Sequence, residues 1–185
     1  MKTLDCNYKM LNPEIISGDN CYLIDKNGKK YLDFESGVWC TSLGHNNKNI
    51  NMAILDQMNM ISHTGYRYTT EIVNEVLSVI ESGACIENAG KLGLVLGDSL
   101  KKLAEKHKDH IREVRGTGLM YAAEFMKHIP LEELHKKLFD AGFITGINTA
   151  ANLMRFYPPL TITEEQIGEI TDALDLILRQ YKRDC

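Results

Sequence analysis

Apolar side chains recur at three- and four-residue steps along much of the chain, the spacing that places them on one face of an α-helix. This pattern predicts helices over about 49–62, 71–81 and 86–107, a short helix over 131–140, and a last helix after Thr163. The run from Thr163 to Gln166 (Thr-Glu-Glu-Gln) has the form of a capping box, a signal for a helix start. The apolar faces of the first and last helices consist of Ile50, Ala53, Ile54 and Met58, and of Ile167, Ile170, Leu174, Ile177, Leu178 and Tyr181.

Glycines interrupt the predicted helix over 86–107 and the region that follows it. Gly90, Gly93 and Gly97 each cost about 1 kcal/mol relative to alanine inside a helix. We interpret them as positions of close backbone packing rather than as a phosphate-binding loop. Gly116 and Gly118 are interpreted as turn glycines beside a strand, because the full G-x-G-x-x-G motif is absent.

Short runs rich in β-branched and aromatic residues predict strands. Tyr22-Leu-Ile24 and Tyr31-Leu-Asp-Phe34 flank Asn27-Gly28, a pair that supplies the positive φ angles of a tight hairpin turn. Residues 1–20, interrupted by a proline and a glycine, are predicted to form an irregular N-terminal arm. Further strand regions are predicted at Val114–Phe125, Phe143-Ile-Thr145 and Leu153-Met-Arg-Phe156.

Strands at the start, followed by strands mixed with helices, favour the α+β class. We therefore predict that residues 21–185 form a single α+β domain. Its sheet is expected to be small and mainly antiparallel, with three or four strands covered by helices on one side. A chain of 185 residues is long enough to bury a core of its own.

Composition and charge exclude several classes of function. The formal net charge is −4 and no block of lysine and arginine occurs, so neither a nucleic-acid partner nor an anionic membrane surface is indicated. No apolar run approaches the roughly 20 residues that span a bilayer, and the N-terminus has no apolar signal core. Five cysteines, odd in number and without a C-x-x-C pair, favour reduced thiols and a cytoplasmic location.

Two well-separated segments carry a resemblance to a known family. The first runs from Tyr22 to His45 and contains Tyr31-Leu-Asp-Phe-Glu-Ser-Gly37 followed by Leu43-Gly-His45. The second begins at Val114-Arg-Gly-Thr-Gly-Leu-Met120 and ends at Met154–Gln166, which contains Arg155-Phe-Tyr-Pro-Pro-Leu-Thr-Ile162. Together they closely resemble the two ends of class III pyridoxal-phosphate aminotransferases, the ornithine, acetylornithine and ω-aminotransferase-like enzymes. The resemblance implies the small domain of a fold-type I enzyme.

The resemblance divides the chain into two blocks, about 15–76 and 77–182, which join within the helix predicted over 71–81. In the family a large cofactor-binding domain lies between these blocks. This sequence has no Gly-Ser-x-Ala-x-Glu-like phosphate turn, no Asp-Glu-Val-Gln-like run and no Ser-Lys for a Schiff base. Its lysines occur in turns or on charged helix faces, whereas amine catalysis needs a lysine in a pocket with a lowered pKa. We therefore expect no cofactor in this chain, although the intact family uses pyridoxal phosphate.

The resemblance also implies two substrate-binding residues, provided that a cofactor domain is supplied. Arg155 matches an arginine that binds a substrate carboxylate, and a planar guanidinium suits this task because it offers two parallel donors. Its alternative is a strand arginine paired with a local acid such as Glu124. Trp39 resembles an aromatic wall beside the cofactor and substrate, and its alternative is an anchor in the core.

Other chemically capable side chains are predicted to be structural. His45 is interpreted as a turn histidine, and Asp19, Asp25 and Asp33 as acids at hairpin edges. No H-E-x-x-H motif or Cys/His cluster occurs, so no metal site is predicted. We nominate no catalytic residue.

Three hypotheses for function follow. The first is an aminotransferase-related small domain that is inactive alone and serves as a structural or interaction module. The second is an aminotransferase, transferring an amino group to a 2-oxo acid, whose active site is completed by another chain. The third is a weak carboxylate-binding module. The expected partners are a second copy of the chain or a separate domain that binds pyridoxal phosphate.

Overall fold

The computed structural model describes residues 14–61 and 83–181. The helix predicted over 71–81, with the predicted junction of the two blocks, lies outside the described residues. So do residues 1–13 of the predicted arm. Between the described limits, no helix is long and apolar enough to cross a membrane.

The first sheet has four strands, and its first three strands follow one another along the chain. Its order is β1-β2-β3-β6, antiparallel except for the parallel pairing of β3 with β6. The strands are β1 (Ile15–Asp19), β2 (Tyr22–Asp25), β3 (Lys30–Asp33) and β6 (Phe143–Ile144). The turn between β2 and β3 confirms the predicted hairpin, with Gly28 at a φ of 81°. Asp25 Oδ1 accepts from the backbone N–H groups of Asn27 and Lys29, at 2.9 Å each, and so holds this turn.

The second sheet also has four strands and is antiparallel throughout, in the order β4-β5-β8-β7. Its strands are β4 (Ile111–Thr117), β5 (Met120–Phe125), β7 (Gly146–Asn148) and β8 (Leu153–Phe156). The α+β class is confirmed, with two sheets where the sequence predicted one. The chain passes from the first sheet to the second at Thr145, which separates β6 from β7.

Four helices complete the described structure. They are α1 (Lys48–Met60), α2 (Ala84–Lys106), α3 (Leu131–Asp140) and α4 (Glu164–Leu178). For the helices within the described residues, the predicted bounds are correct to within two residues wherever both ends were predicted. The capping box of α4 is present, because the Thr163 side chain accepts from the Gln166 N–H and the Gln166 side chain accepts from the Thr163 N–H.

A single hydrophobic cluster joins helices α2, α3 and α4 to both sheets. Two of the three glycines in α2 allow this packing. A Cβ on Gly93 would overlap the backbone of Gly118, and a Cβ on Gly97 would overlap the Tyr121 ring. The predicted close packing is thus confirmed at these two positions, whereas Gly90 has no neighbour within 4 Å of a Cβ. The largest fully buried side chains include Phe34, Leu96, Leu100, Leu134, Leu138, Met154, Phe156, Ile167, Ile170 and Leu174.

One prediction about the first block is wrong. Residues 15–19 are not irregular, because β1 pairs with β2 and the lack of a Cβ on Gly18 lets the His45 side chain approach closely. The predicted helix α1 is present, and none of its residues is buried in the described structure. Ile50 and Ala53 are half-buried, and Ile54 and Met58 are exposed.

Candidate carboxylate-binding site

A left-handed turn, Ser36–Trp39, follows β3 and carries one of the predicted site residues. Its four residues have φ angles from 49° to 66°. This conformation costs a non-glycine residue roughly 1–2 kcal/mol, so the turn persists only because its surroundings hold it. Asp33 Oδ1 accepts from the N–H groups of Glu35 and Ser36, at 2.8 and 2.9 Å. The Ser36 hydroxyl donates to the Tyr157 carbonyl oxygen at 2.8 Å.

The second oxygen of Asp33 binds a histidine. Asp33 Oδ2 lies 2.7 Å from His45 Nε2, and the Asp33 carboxyl is buried. The backbone of His45 also pairs with Asn20 next to β1. Asp25 and Asp33 stand at the ends of their strands, as interpreted from the sequence, and the structure adds that both carboxyls are buried and that Asp33 binds His45. Both carboxyls are buried because each accepts the N–H groups of the turn that follows its strand.

The two predicted site residues both lie close to one tyrosine. The Trp39 ring is 5.3 Å from the Tyr157 ring, centroid to centroid, and the Arg155 Cζ is 5.8 Å from the Tyr157 centroid. Trp39 is 40% exposed, so it lies at the surface and not in the core. Tyr157, which directly follows β8, was not predicted. The available signal was its position two residues after Arg155, because residues two apart point to the same side of an extended chain.

Arg155 pairs with a different acid from the one predicted. Its Nη2 lies 3.6 Å from Glu35 Oε1, whereas Glu124 binds Arg112 at 2.8 Å and Arg115 at 3.0 Å. The reason is the register of the second sheet, in which Arg155 stands opposite Ala122 and Glu124 stands opposite Leu153. Arg112 and Arg115 of β4 therefore bind Glu124, and Arg155 contacts Glu35 instead.

The guanidinium of Arg155 is incompletely paired within the described part of the chain. Its Nε is buried and has no hydrogen-bond partner among these residues, and the contact from Nη2 to Glu35 is longer than a hydrogen bond. Gly146, opposite Arg155 in β7, leaves room for this arrangement. A Cβ on Gly146 would stand 2.9 Å from Arg155 Nε, from Arg155 Nη2 and from Glu35 Oε1.

Burial raises the pKa of Glu35, and the nearby Asp33 carboxylate adds to this shift, while Arg155 opposes it. Arg155 and Glu35 are each about a third exposed. The site therefore combines a half-buried cation, a half-buried acid, an exposed tryptophan ring and a half-buried tyrosine ring. This arrangement suits a planar carboxylate that can accept two donors.

Sequence comparison places the chain in a family. The profile of "Aminotransferase class-III" matches residues 4–72 and 65–178, which together cover most of the chain. The chain belongs to the class III aminotransferases. The profile match thus confirms the family identification made from the two segments. The match falls in two separate parts, one for each segment.

Individual relatives of this class III chain agree with the profile. The acetylornithine aminotransferase of Bacillus anthracis is 32% identical over 137 residues, which are 73% of this chain and 32% of that protein. The 4-aminobutyrate aminotransferase of Mycobacterium leprae is 33% identical over 113 residues, 57% of this chain and 25% of that protein. This chain spans about a third of the length of the curated relatives it matches.

A solved structure is similar in fold. The ornithine δ-aminotransferase of Plasmodium falciparum superposes with a TM-score of 0.84 at 14% identity, covering 95% of this chain and 95% of that one. At this identity the likeness concerns the fold alone, and it supports the fold-type I small-domain architecture.

The described residues of this class III chain do not fit pyridoxal phosphate. Every lysine within 14–61 and 83–181 is exposed except Lys137, which is half-buried and whose Nζ lies 2.8 Å from Glu133. That pairing raises the pKa of Lys137, the opposite of what a nucleophilic amine needs.

A polar pocket of about 300 Å³ borders Asn20, His45 and Lys48 and includes neither Trp39 nor Arg155. Over the same stretches no group of three or more His, Cys, Asp or Glu side chains could hold a metal ion.

Proposed function

We propose that this class III aminotransferase chain is a carboxylate-recognition and interaction module that does not transaminate by itself. The observation that carries the proposal is Arg155, a half-buried guanidinium whose Nε has no partner among the described residues, beside the exposed Trp39 ring and the half-buried Tyr157 ring. A carboxylate that binds Arg155 would gain two parallel charge-assisted hydrogen bonds. The expected ligands are dicarboxylates and amino acids, the compounds handled by the family.

Weak binding is expected from the openness of the site. Arg155 is about a third exposed, so solvent screens its charge, and an exposed ion pair contributes about 1 kcal/mol or less. The dissociation constant for a small dicarboxylate should therefore be about 1 mM or weaker, which corresponds to about −4 kcal/mol. A cofactor domain on top of the site would exclude water and strengthen the same contacts.

The proposal that the chain is inactive alone rests on its lysines. Transamination needs a lysine held in a pocket, and the described lysines are solvated or paired with an acid. A transaminase whose active site is completed by another chain remains the second candidate, since Trp39 and Arg155 are both available at the surface. The free thiols of Cys21, Cys40 and Cys85 support a cytoplasmic location.

Self-association is proposed through the α1 surface, defined by Met52, Ile54, Leu55, Met58, Met60 and Ile61. Each of these side chains is between 45% and 74% exposed. The helix carries only two ionisable side chains, Lys48 and Asp56, so little charge opposes contact between two copies. Apolar patches beyond a few hundred Å² usually mark an interaction site.

The test of carboxylate recognition is calorimetric titration with succinate and glutarate. Wild type should bind weakly, and Arg155→Met should lose most of that binding because the cation is removed. Arg112→Met is the matched control, since Arg112 is an exposed strand arginine that pairs with Glu124. Tight binding, or equal binding by wild type and Arg155→Met, would refute the proposal.

The test of inactivity is amino transfer from ornithine or β-alanine to 2-oxoglutarate with added pyridoxal phosphate. Turnover should not exceed that of free lysine at an equal amine concentration. One cofactor bound per chain, with turnover that disappears when one lysine is changed, would establish the second candidate instead.

A further inference from the structure

We propose that the Asp33–His45 pair positions the aromatic side of the carboxylate site, and so sets how well the site holds a carboxylate that carries an aromatic group. This inference rests on the proposed carboxylate-recognition function and adds two positioning residues to it. Their effect passes through the left-handed turn Ser36–Trp39, which ends at the exposed Trp39 ring. That ring and the Tyr157 ring offer the apolar surface beside the bound carboxylate.

The left-handed turn depends on Asp33 because its own backbone conformation is unfavourable. Ser36, Val38 and Trp39 have φ angles of 49°, 56° and 66°. Residues other than glycine rarely adopt this region, so the turn needs contacts from outside itself. The buried Asp33 carboxylate supplies them at the start of the turn, where Oδ1 accepts from the N–H groups of Glu35 and Ser36.

His45 fixes the direction of the Asp33 carboxylate. Its Nε2 lies 2.7 Å from Asp33 Oδ2, and since the carboxylate accepts, the ring donates, which leaves Oδ1 directed at the turn. His45 is itself anchored, because its backbone N–H and C=O both pair with Asn20 and its side chain packs on Gly18. A Cβ on Gly18 would stand 2.8 Å from His45 Cβ, so the glycine permits this position. The pair therefore connects the β1–β2 hairpin to the left-handed turn.

The aromatic and cationic sides of the site take their positions from different parts of the fold. The Tyr157 N–H donates to the Phe34 carbonyl oxygen at 2.7 Å, and the Tyr157 carbonyl oxygen accepts from the Ser36 hydroxyl at 2.8 Å. These bonds bring the turn to Tyr157, whose ring is 5.3 Å from the Trp39 ring. Arg155 belongs to β8 and is placed by its neighbours β5 and β7. Releasing the turn should therefore displace the Trp39 ring and leave the guanidinium in place.

The first test uses Trp39, the one tryptophan of the sequence, as a reporter. His45→Leu removes the ring donor at similar volume. Acrylamide quenching of Trp39 fluorescence should then rise by about twofold, because a ring that is 40% exposed becomes almost fully exposed when the turn relaxes. His45→Gln should keep the wild-type value, since its amide can donate to Asp33 in place of Nε2. His107→Leu is the matched control, because it removes an equally short contact, 2.7 Å to Asp175, where α2 meets α4.

The second test separates positioning from a general loss of structure. Succinate and phenylsuccinate carry the same two carboxylates, and only phenylsuccinate also has a ring to place against Trp39. Its affinity, measured by calorimetry, should fall about two- to tenfold in His45→Leu, the range expected for loss of one aromatic contact. Succinate affinity should stay unchanged in this variant, and His45→Gln and His107→Leu should bind both ligands as wild type does. An equal loss for both ligands in His45→Leu would overturn the proposal.

A third measurement needs no variant. In proton NMR of the wild-type protein, the His45 Nε2–H resonance should move when phenylsuccinate saturates the site and stay in place with succinate, because coupling between two sites is reciprocal. Wild-type quenching in His45→Leu, or a His45 resonance that phenylsuccinate does not move, would overturn the positioning role and leave carboxylate recognition intact. If wild type binds neither ligand, the proposed function fails, and the quenching of Trp39 in His45→Leu still decides whether the pair positions this ring.

Discussion

The same kind of amphipathic pattern predicts α1 and α4, yet α4 packs into the core and α1 lies at the surface of the described structure. Six residues of α4 are buried, including Ile167, Ile170 and Leu174, whereas α1 has no buried residue. Both helices have an N-cap, Thr163 for α4 and Asn47 for α1. Local sequence therefore forms both helices, but only α4 contributes its apolar face to the core of the described structure.

The largest expected difference comes from truncating one leucine in each helix. Leu174 is 1% exposed in α4, and Leu55 is 61% exposed in α1. Leu174→Ala should lower the free energy of unfolding by about 3 kcal/mol because it leaves a cavity. Leu55→Ala should change it by less than about 0.5 kcal/mol. Urea unfolding followed by circular dichroism measures both values, and similar losses would mean that α1 is packed as firmly as α4.

Removing the two N-caps should give a smaller difference. Thr163→Ala breaks the capping box and should lower the free energy of unfolding by about 1 kcal/mol. Asn47→Ala removes Oδ1, which accepts from the N–H groups of Asn49 and Ile50, yet it should leave the global unfolding midpoint unchanged. Its effect should appear as faster hydrogen exchange within α1, measured by mass spectrometry. A matching drop in the midpoint for both variants would contradict the comparison.

Titration should also distinguish α1, which contains no histidine, from the buried part of the described structure, which contains His110. Burial lowers the pKa of His110, next to the end of α2, and the neighbouring His128 and His107 add to this effect. The unfolded chain then binds more protons than the folded one near pH 6.5, so stability should fall as the pH drops below that value. His110→Gln should make thermal unfolding less sensitive to pH between about 7 and 5. An unchanged pH profile in this variant would remove His110 from the explanation.

The smallest expected change in stability comes with a change in assembly. Leu55→Gln combined with Met58→Gln places polar groups on the α1 surface and should alter the free energy of unfolding by less than about 0.5 kcal/mol. Light scattering should show that the double variant self-associates less than wild type. Leu176, which is exposed on α4 at 62%, provides the control, because Leu176→Gln should leave association unchanged. A wild-type protein that stays monomeric at high concentration would refute the proposed α1 contact.

The sequence predicted the positions of the helices and strands better than it predicted what packs against them. The α4 start followed from its capping box and the β2–β3 hairpin from Asn27-Gly28, because both signals act over a few residues. The exposure of α1 could not be predicted in the same way. Periodicity identifies the apolar face of a helix but does not say whether another element covers it.

The sequence identified two residues of the site but not the side chains that they contact. Arg155 and Trp39 were named from the family resemblance, and the structure brings both to Tyr157. The pairing of Arg155 with Glu35 depends on strand register and on a turn of four left-handed residues. Such a turn goes against local backbone preference, so no short-range rule would place Glu35 beside Arg155.

The long-range contacts around the left-handed turn also set the order in which the domain can assemble. Ser36 and Tyr157, joined by a hydrogen bond, are 121 positions apart in the chain. The β4–β5 hairpin and α3, by contrast, are built from neighbours in the sequence. Because closing a long loop costs more entropy than closing a short one, local elements form early and the contact of Ser36 with Tyr157 forms late. During synthesis, the ribosome must therefore release most of the chain before Trp39 and Glu35 can take up their positions.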